Sequence, residues 1–341
     1  MRGPSRETGH ATGGPSVGAP VRCLAVVGPT ATGKTRLAVQ LARALGGEVV
    51  SADSRQVYRR MDIGTGKDVA EYGSGEARVP VHMIDVAEPG EAYDLYRYVL
   101  GARARTAECR DRGVLPVLAG GSHLYVNALI RNHRLEGVAP NPEFRRRCEG
   151  RTDEELTEQL RALDPAVHAR TDVSKRKRII RGLEIARTPS EGRKRAPSLP
   201  LAPLLLGPYY PRSELHRRIE SRLDERLASG LLDEVRSLHA EGVSWERLEF
   251  LGLEYRFAAR HLCGDLDFDA FRSGLLAGIR HLCRAQEIWL RKLEREGWDI
   301  HWVSKGNPEE ALRLARRFLD GDPLPPPVIR LNETLYGPRT Q

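Results

Sequence analysis

An α/β architecture, a parallel sheet flanked by helices with a helical insertion domain, is what the patterning of this chain predicts. Apolar, strand-length runs alternate with helical periodicity from residue 21 to residue 133. A glycine-bounded loop, Gly28-Pro29-Thr30-Ala31-Thr32-Gly33-Lys34-Thr35, joins the first apolar run to the first helical stretch. Between Arg134 and Arg187 strand signals vanish and charge density rises. Strands alternating with helices argue a parallel sheet covered on both faces. Ligands of such sheets collect at the carboxyl ends of the strands.

The loop follows the apolar run Leu24–Val27 and opens Arg36–Leu45, where Leu37, Leu41 and Leu45 recur at helical spacing. Strand, glycine loop and helix are the context of a phosphate-binding P-loop, so the sheet reads as P-loop NTPase-like. Gly28 and Gly33 let the backbone curl until several N–H groups converge on phosphate oxygens. Those groups stand at the positive end of the helix dipole. Lys34 adds a mobile cation for the terminal phosphate, and the Thr35 hydroxyl suits Mg²⁺. The loop alone names neither the phosphate compound nor the group transferred.

Gly46-Gly47 stops the first helix. A strand over Glu48–Ser51 runs into Ala52-Asp53-Ser54-Arg55-Gln56-Val57-Tyr58. The loop Gly64-Thr65-Gly66-Lys67-Asp68 follows, then a third strand over Val79–Val86 and a helix over Asp94–Arg112. Val114–Ala119 reads as a buried strand and ends in Gly120-Gly121-Ser122-His123-Leu124-Tyr125, before a helical start at Val126–Ile130. Asp53, Thr65 and Ser122 each follow a strand, so the fold gathers them near the P-loop. His82 and His123 read as packed or hydrogen-bonded side chains.

The P-loop core is thus expected over 21–133 and a helical insertion over 134–187, with helices at Asp153–Leu163 and Arg176–Ala186. Basic runs mark it at Arg145-Arg146-Arg147 and Lys175-Arg176-Lys177-Arg178. Residues 188–203, with four prolines, read as a linker. The core resumes over 204–320 with a strand at Leu204–Gly207, long helices at Ser213–Glu241 and Phe268–Glu296, a strand at Trp298–Val303 and a helix at Glu309–Leu319. Arg280, Arg284 and Arg291 fall on one side of the second long helix, facing either an anionic partner or water. Residues 321–341 read as an extended tail. Residues 1–20, rich in Gly, Pro and Ser without an apolar stretch, read as a disordered leader and not a signal peptide.

At 341 residues, 40% hydrophobic and 29% charged, the composition is that of an ordinary globular protein. No run of about eighteen apolar residues occurs, so no membrane span is expected. Five scattered cysteines without a C-x-x-C pair suit neither a zinc site nor a disulfide framework, and point to a reducing cytoplasm. A net charge of +8 fits a polyanionic partner, as it fits a merely solvated surface.

Several stretches, in this order, resemble the tRNA dimethylallyltransferase (isopentenyltransferase) family. They are Gly28–Thr35, Asp53-Ser54-Arg55-Gln56-Val57-Tyr58, Gly64-Thr65-Gly66-Lys67, Val81-His82-Met83-Ile84-Asp85 and Gly120-Gly121-Ser122 with Leu124-Tyr125. Arg178–Glu184, Leu215–Ile219 and Gly230–Val235 continue the match, which spans Val21 to Val303. The resemblance implies a P-loop core with an insertion that grips the anticodon stem-loop of tRNA. It implies transfer of a prenyl group from dimethylallyl diphosphate to N6 of the adenine at tRNA position 37. Asp53 becomes the general base, and Ser122 keeps a hydroxyl where the family usually has Thr. Asp53, Ser54, Arg55, Gln56, Ser122, Arg145, Lys177, Arg178, Ile179, Ile180 and Arg181 fall where the family touches tRNA. The chain departs from the family pattern at Gly66 and Asp68, where Ala and Pro are common. It departs again in Gly252-Leu253-Glu254-Tyr255-Arg256 and in Cys283-Arg284-Ala285-Gln286.

The chemistry suits these residues. Breaking an allylic C–O bond leaves negative charge on diphosphate, which backbone N–H groups, Lys34 and Mg²⁺ stabilise where it develops. A carboxylate that accepts an N6 proton makes the amine nucleophilic. From spacing alone Asp53 serves equally as a helix N-cap or an outer partner of Mg²⁺; the resemblance favours the base. The target base must leave its stack, and basic side chains on the insertion offset that cost through phosphate contacts. Lys175–Arg178 reads alternatively as a solvated helix face. A monomer in the cytoplasm is expected, without membrane attachment. The competing readings are an ATP-dependent kinase of a small molecule, with Asp85 as a magnesium-binding aspartate, and a prenyltransferase of free adenine nucleotides.

Overall fold

The computed structural model describes residues 19–189, 193–331 and 333. Most of the expected leader, residues 190–192 of the expected linker, and residues 332 and 334–341 of the expected tail lie outside the described residues.

Six strands form one sheet: β1 (Val21–Val27), β2 (Gly47–Ser51), β3 (Val81–His82), β4 (Leu115–Gly120), β5 (Leu201–Tyr209) and β6 (Ile300–Ser304). Their order is β3-β2-β4-β1-β5-β6, and every neighbouring pair is parallel. Central β1 explains its own unbroken apolar run. Cys23, Ala25 and Val27 enter the core on one face of the sheet, and Leu24 and Val26 enter the core on the other.

Helix α1 (Lys34–Leu45) leaves the P-loop and stops at Gly46, whose φ of 65° and N–H bond to the Ala42 carbonyl close its last turn. Helix α2 (Leu95–Asp111) starts where the Asp94 carboxylate accepts from the Arg97 N–H. Helix α3 (His123–Ile130) follows β4 directly. Four short helices come next: α4 (Pro142–Cys148), α5 (Asp153–Leu163), α6 (Pro165–Ala169) and α7 (Arg176–Ala186). They enclose a small core of their own, built on Phe144, Leu156, Leu160, Ile179 and Leu183. The two chain crossings into this unit pair with each other. Glu136 bridges Arg195, the Gly137 N–H donates to the Lys194 carbonyl at 2.7 Å, and Ala196 N–H to the Leu135 carbonyl at 3.1 Å.

After β5 come α8 (Arg212–Ala228), α9 (Leu231–Ala240), α10 (Trp245–Phe250), α11 (Leu253–Leu262) and α12 (Phe268–Arg295). All but the short α10 place several residues in the larger core, with α2 and α3. After β6, α13 (Pro308–Asp320) covers the opposite face beside α1.

The structure corrects four expectations. The third strand ends after two residues, because Met83 and Asp85 take left-handed backbone, with φ of 65° and 55°. The helix expected over Ser213–Glu241 is two helices, divided at Gly230, which sits at φ 97° as the cap of α9. Strand β5 begins inside the expected linker. Pro203 lies within it, in the stretch before β6 begins to pair at Leu205. The tail is not simply extended from the body: Leu331 is buried, and its N–H donates to Glu294 Oε2 at 3.2 Å.

Candidate active site

A cleft of about 1540 Å³ opens at the carboxyl ends of β1, β2 and β4. The P-loop forms its floor. Gly28 has φ 156°, and Ala31 and Gly33 are left-handed at 62° and 78°, so the loop curls tightly before α1. The Lys34 ammonium folds back to donate to the Pro29 carbonyl at 2.6 Å, as does the Thr32 hydroxyl at 2.9 Å. Burial lowers the Lys34 pKa to about 8, with Asp53 pulling it up and Arg222 pushing it further down. Asp53 and Arg222 therefore act electrostatically on the P-loop cation. Gln286 of α12 pins the loop. It accepts from the Thr30 N–H at 2.8 Å and donates to the Gly121 carbonyl at 3.0 Å.

The wall opposite combines the ends of β2 and β4. Gly120 makes this possible, since a Cβ there would collide with the Ala52 carbonyl. The close approach lets Ser122 Oγ accept from the Ser54 N–H at 2.9 Å and donate to Ser54 Oγ at 3.2 Å. Asp53 Oδ1 accepts from the Arg55 N–H at 2.9 Å, which turns the chain. Asp53, Ser54, Arg55, Ser122 and Thr35 all line the cleft. Gln56 also borders it but is 8% exposed; it accepts from Ser51 Oγ and donates to the Gly66 carbonyl at 3.0 Å. Its side chain joins β2 to the next loop.

That loop, residues 61–68, is fixed from both sides. The Glu234 carboxylate of α9 accepts from the N–H groups of Asp62, Ile63 and Gly64, at 2.7, 2.7 and 3.0 Å, and from the Tyr255 hydroxyl at 2.6 Å. Lys67 is fully buried and donates to the Tyr58 carbonyl, Asp62 and Asp85. The Thr65 hydroxyl bonds to the Met61 carbonyl. Thr65 thus borders the cleft with its hydroxyl turned into its own loop. Asp85 does not line the cleft, so it is not placed as the magnesium-binding aspartate that a kinase reading requires.

Sequence reasoning missed the third wall. Arg218, Arg222 and Arg226 recur every four residues on α8 and share one face. Arg218 Nε donates to the Ala31 carbonyl at 2.9 Å and stacks over Tyr210. Arg222 pairs with Asp68, and Arg226 with Glu254 at 2.8 Å. The signal was present as a basic stripe beside the apolar stripe Leu215, Ile219, Leu223 and Leu227. Arg280, Arg284 and Arg291 do not line the cleft; Arg280 pairs with Glu220 at 3.2 Å, and Arg291 is buried. His123 is exposed on the cleft wall, its ring 6.2 Å from Trp289, whereas His82 bonds to Glu48 at 2.7 Å. Among the described residues Glu48, His82 and Cys109 form the one trio with metal-ligand spacing, but Arg112 already holds both Glu48 oxygens.

Across the opening stand Lys175 and Arg178 of the insertion. Arg178 pairs with Asp172 at 2.6 Å, and Lys177 is exposed. Arg145 and Arg181 converge on the buried Glu184, at 2.8 and 3.0 Å. Burial pushes the Glu184 carboxyl up, but hydrogen bonds from Arg145, the Asn141 N–H and Arg181 outweigh it and hold it below its ordinary range. Ile179 is fully buried in the insertion core, so its side chain faces no partner; Ile180 is half-buried beside it.

The family model for IPP transferase matches residues 56–293. The chain belongs to the IPP transferase family. Its relatives include the tRNA dimethylallyltransferase 2 of Trichlorobacter lovleyi, 46% identical over 300 residues that cover 87% of this chain and 96% of that protein. The tRNA dimethylallyltransferase 1 of Geotalea uraniireducens is 43% identical, covering 85% and 97%. A solved tRNA isopentenylpyrophosphate transferase from Bacillus halodurans is 29% identical, with a TM-score of 0.62, covering 88% and 96%. The IPP transferase match includes Glu234, Tyr255, Gln286 and the α8 arginines, while the P-loop and Asp53 precede its first residue.

Proposed function

We propose that this IPP transferase moves a dimethylallyl group from dimethylallyl diphosphate to N6 of adenosine at tRNA position 37, beside the anticodon, and releases diphosphate. The observation that carries the reading is that Asp53 and the P-loop with Lys34 line one cleft, a carboxylate beside an anion cradle. The N–H groups of Gly28–Thr35, the Lys34 ammonium, Arg218 and Arg222 would hold the diphosphate and stabilise the charge that grows on it. Asp53 would accept the N6 proton as the new N–C bond forms. Ser122, already bonded to Ser54, would orient the amine. The Thr35 hydroxyl would hold Mg²⁺, which when bound would supply further positive charge against the leaving group.

The stem-loop would lie across the opening, touching Ser54, Arg55, Lys177, Arg178 and the half-buried Ile180. Arg145 and Arg181 would offer their outer N–H groups to phosphate while Glu184 fixes their forks. Gln56 and Ile179 would support this surface from beneath. Among the described residues no helix is long and apolar enough to cross a membrane. The test is mass analysis of tRNA nucleosides after incubation with Mg²⁺ and dimethylallyl diphosphate. Appearance of N6-dimethylallyladenosine at position 37 supports the reading, and label transferred from ATP instead would overturn it.

A further inference from the structure

Asp68 stands at the cleft wall in left-handed backbone, φ 48°, at the end of the loop that Glu234 fixes. Its carboxylate pairs with Arg222, and the same guanidinium nitrogen donates to the Gly66 carbonyl at 3.4 Å. The side chains of Arg222 and Asp68 are 29% and 40% exposed, so the pair is neither sealed in the core nor fully solvated. Gly66, at φ 58°, leaves the space these groups occupy; a Cβ would run into the ends of both Arg222 and Arg226. Arg226 has its own carboxylate in Glu254. Burial and the charge of Arg226 both depress the Arg222 pKa, so Arg222 is costly to leave without an anion. Arg222 also lines the same cleft as Lys34 and the P-loop. One cation therefore has the Asp68 carboxylate as its partner and shares the cleft with whatever anion the P-loop holds.

We propose that Asp68 is a positioning residue that competes with the bound diphosphate for Arg222, holding the guanidinium between turnovers and reclaiming it as diphosphate leaves. It thereby limits how tightly the product is held. The proposal rests on the reading of the P-loop as a diphosphate cradle. Removing the carboxylate releases Arg222 to the anion, and a half-exposed pair of this kind predicts a modest effect.

The experiment is titration calorimetry of inorganic diphosphate with Mg²⁺ on the full chain. Four proteins are compared: wild type, Asp68→Asn, Arg222→Met and the double variant, with thermal melts of each. Asp68→Asn should bind diphosphate roughly three- to fivefold more tightly. Arg222→Met should bind it more weakly, and Asp68→Asn should add nothing in that background. Asp68→Glu, which keeps the charge, should restore wild-type affinity. Unchanged or weaker binding by Asp68→Asn overturns the proposal. So does equal tightening in the Arg222→Met background, which would mean that Asp68 repels the anion directly. Diphosphate binding by the wild type with no difference in Asp68→Asn leaves the cradle standing and removes only the role of Asp68. No binding by the wild type removes both.

Discussion

Lys34 carries its charge under strain of environment: it is half-buried, and Arg222 is close enough to depress its pKa, which falls to about 8. A lysine is cationic below its pKa, and a bound anion favours the cation, so diphosphate binding should take up protons near that pH. Affinity should fall as pH rises from about 7 to about 9, and the heat of binding should vary with the ionisation enthalpy of the buffer. Lys34→Met should lose both dependences. Asp53→Asn should lower kcat by roughly 10²- to 10⁴-fold with little change in KM for dimethylallyl diphosphate, measured by prenyl transfer to a stem-loop RNA. The P-loop was legible from its own spacing, and the place of Asp53 and Ser122 at the cleft from their position after strands, while their roles came from the family resemblance. Arg218 and Arg222 showed only as a basic stripe and Gln286 only as part of a block on α12, because sequence does not say that folding brings α8 and α12 against the P-loop. Gln56 and Ile179 show the converse: a motif position gives a residue type without saying whether folding buries it.

At the scale of elements, the loop over residues 61–68 depends on a carboxylate contributed by a helix some 170 residues later. Glu234 has four donors pointed at it. Glu234→Gln presents an NH₂ to donors and should cost about 1–3 kcal/mol in urea unfolding, with a rise in KM for diphosphate substrate as Gly64 and Gly66 loosen. The sequence displayed Gly64-Thr65-Gly66-Lys67 and Gly230–Val235 as separate blocks, and only the fold joins them. The division of α8 from α9 was hidden for a related reason. The apolar stripe runs on through Leu227 and Leu231, and a lone Gly230 reads as a tolerated helix residue until its φ of 97° is seen. Alternating strands and helices were legible because buried parallel strands need continuous apolar runs. The shortness of β3 was not, since positive φ at Met83 and Asp85 leaves no mark on hydrophobicity.

For the molecule as a whole, Glu48 ties together the β3 edge of the sheet. It accepts both ends of the Arg112 guanidinium, at 2.7 and 2.6 Å, and bonds to His82, so β2, β3 and the end of α2 meet on one carboxylate. The hydrogen bonds from Arg112 dominate burial and bring its pKa from 4.5 to about 2. A depressed carboxyl stabilises the folded chain fully above its unfolded value and loses that contribution as pH falls from about 4.5 toward 2. Glu48→Gln should therefore be less stable than wild type by about 2 kcal/mol at pH 7, allowing for the half-exposed Arg112, and the gap should narrow by pH 3 in urea melts.

The paired crossings at Leu135–Gly137 and Lys194–Ala196 have a consequence for how such a chain is assembled. The chain leaves the sheet and comes back through one doorway, two strands wide, and everything beyond the doorway carries its own small core. A tight reverse turn across Gly137 and Lys194 would close it without moving a strand of the sheet. The helical unit is thus a self-contained graft on the sheet, joined to it through one pair of chain crossings.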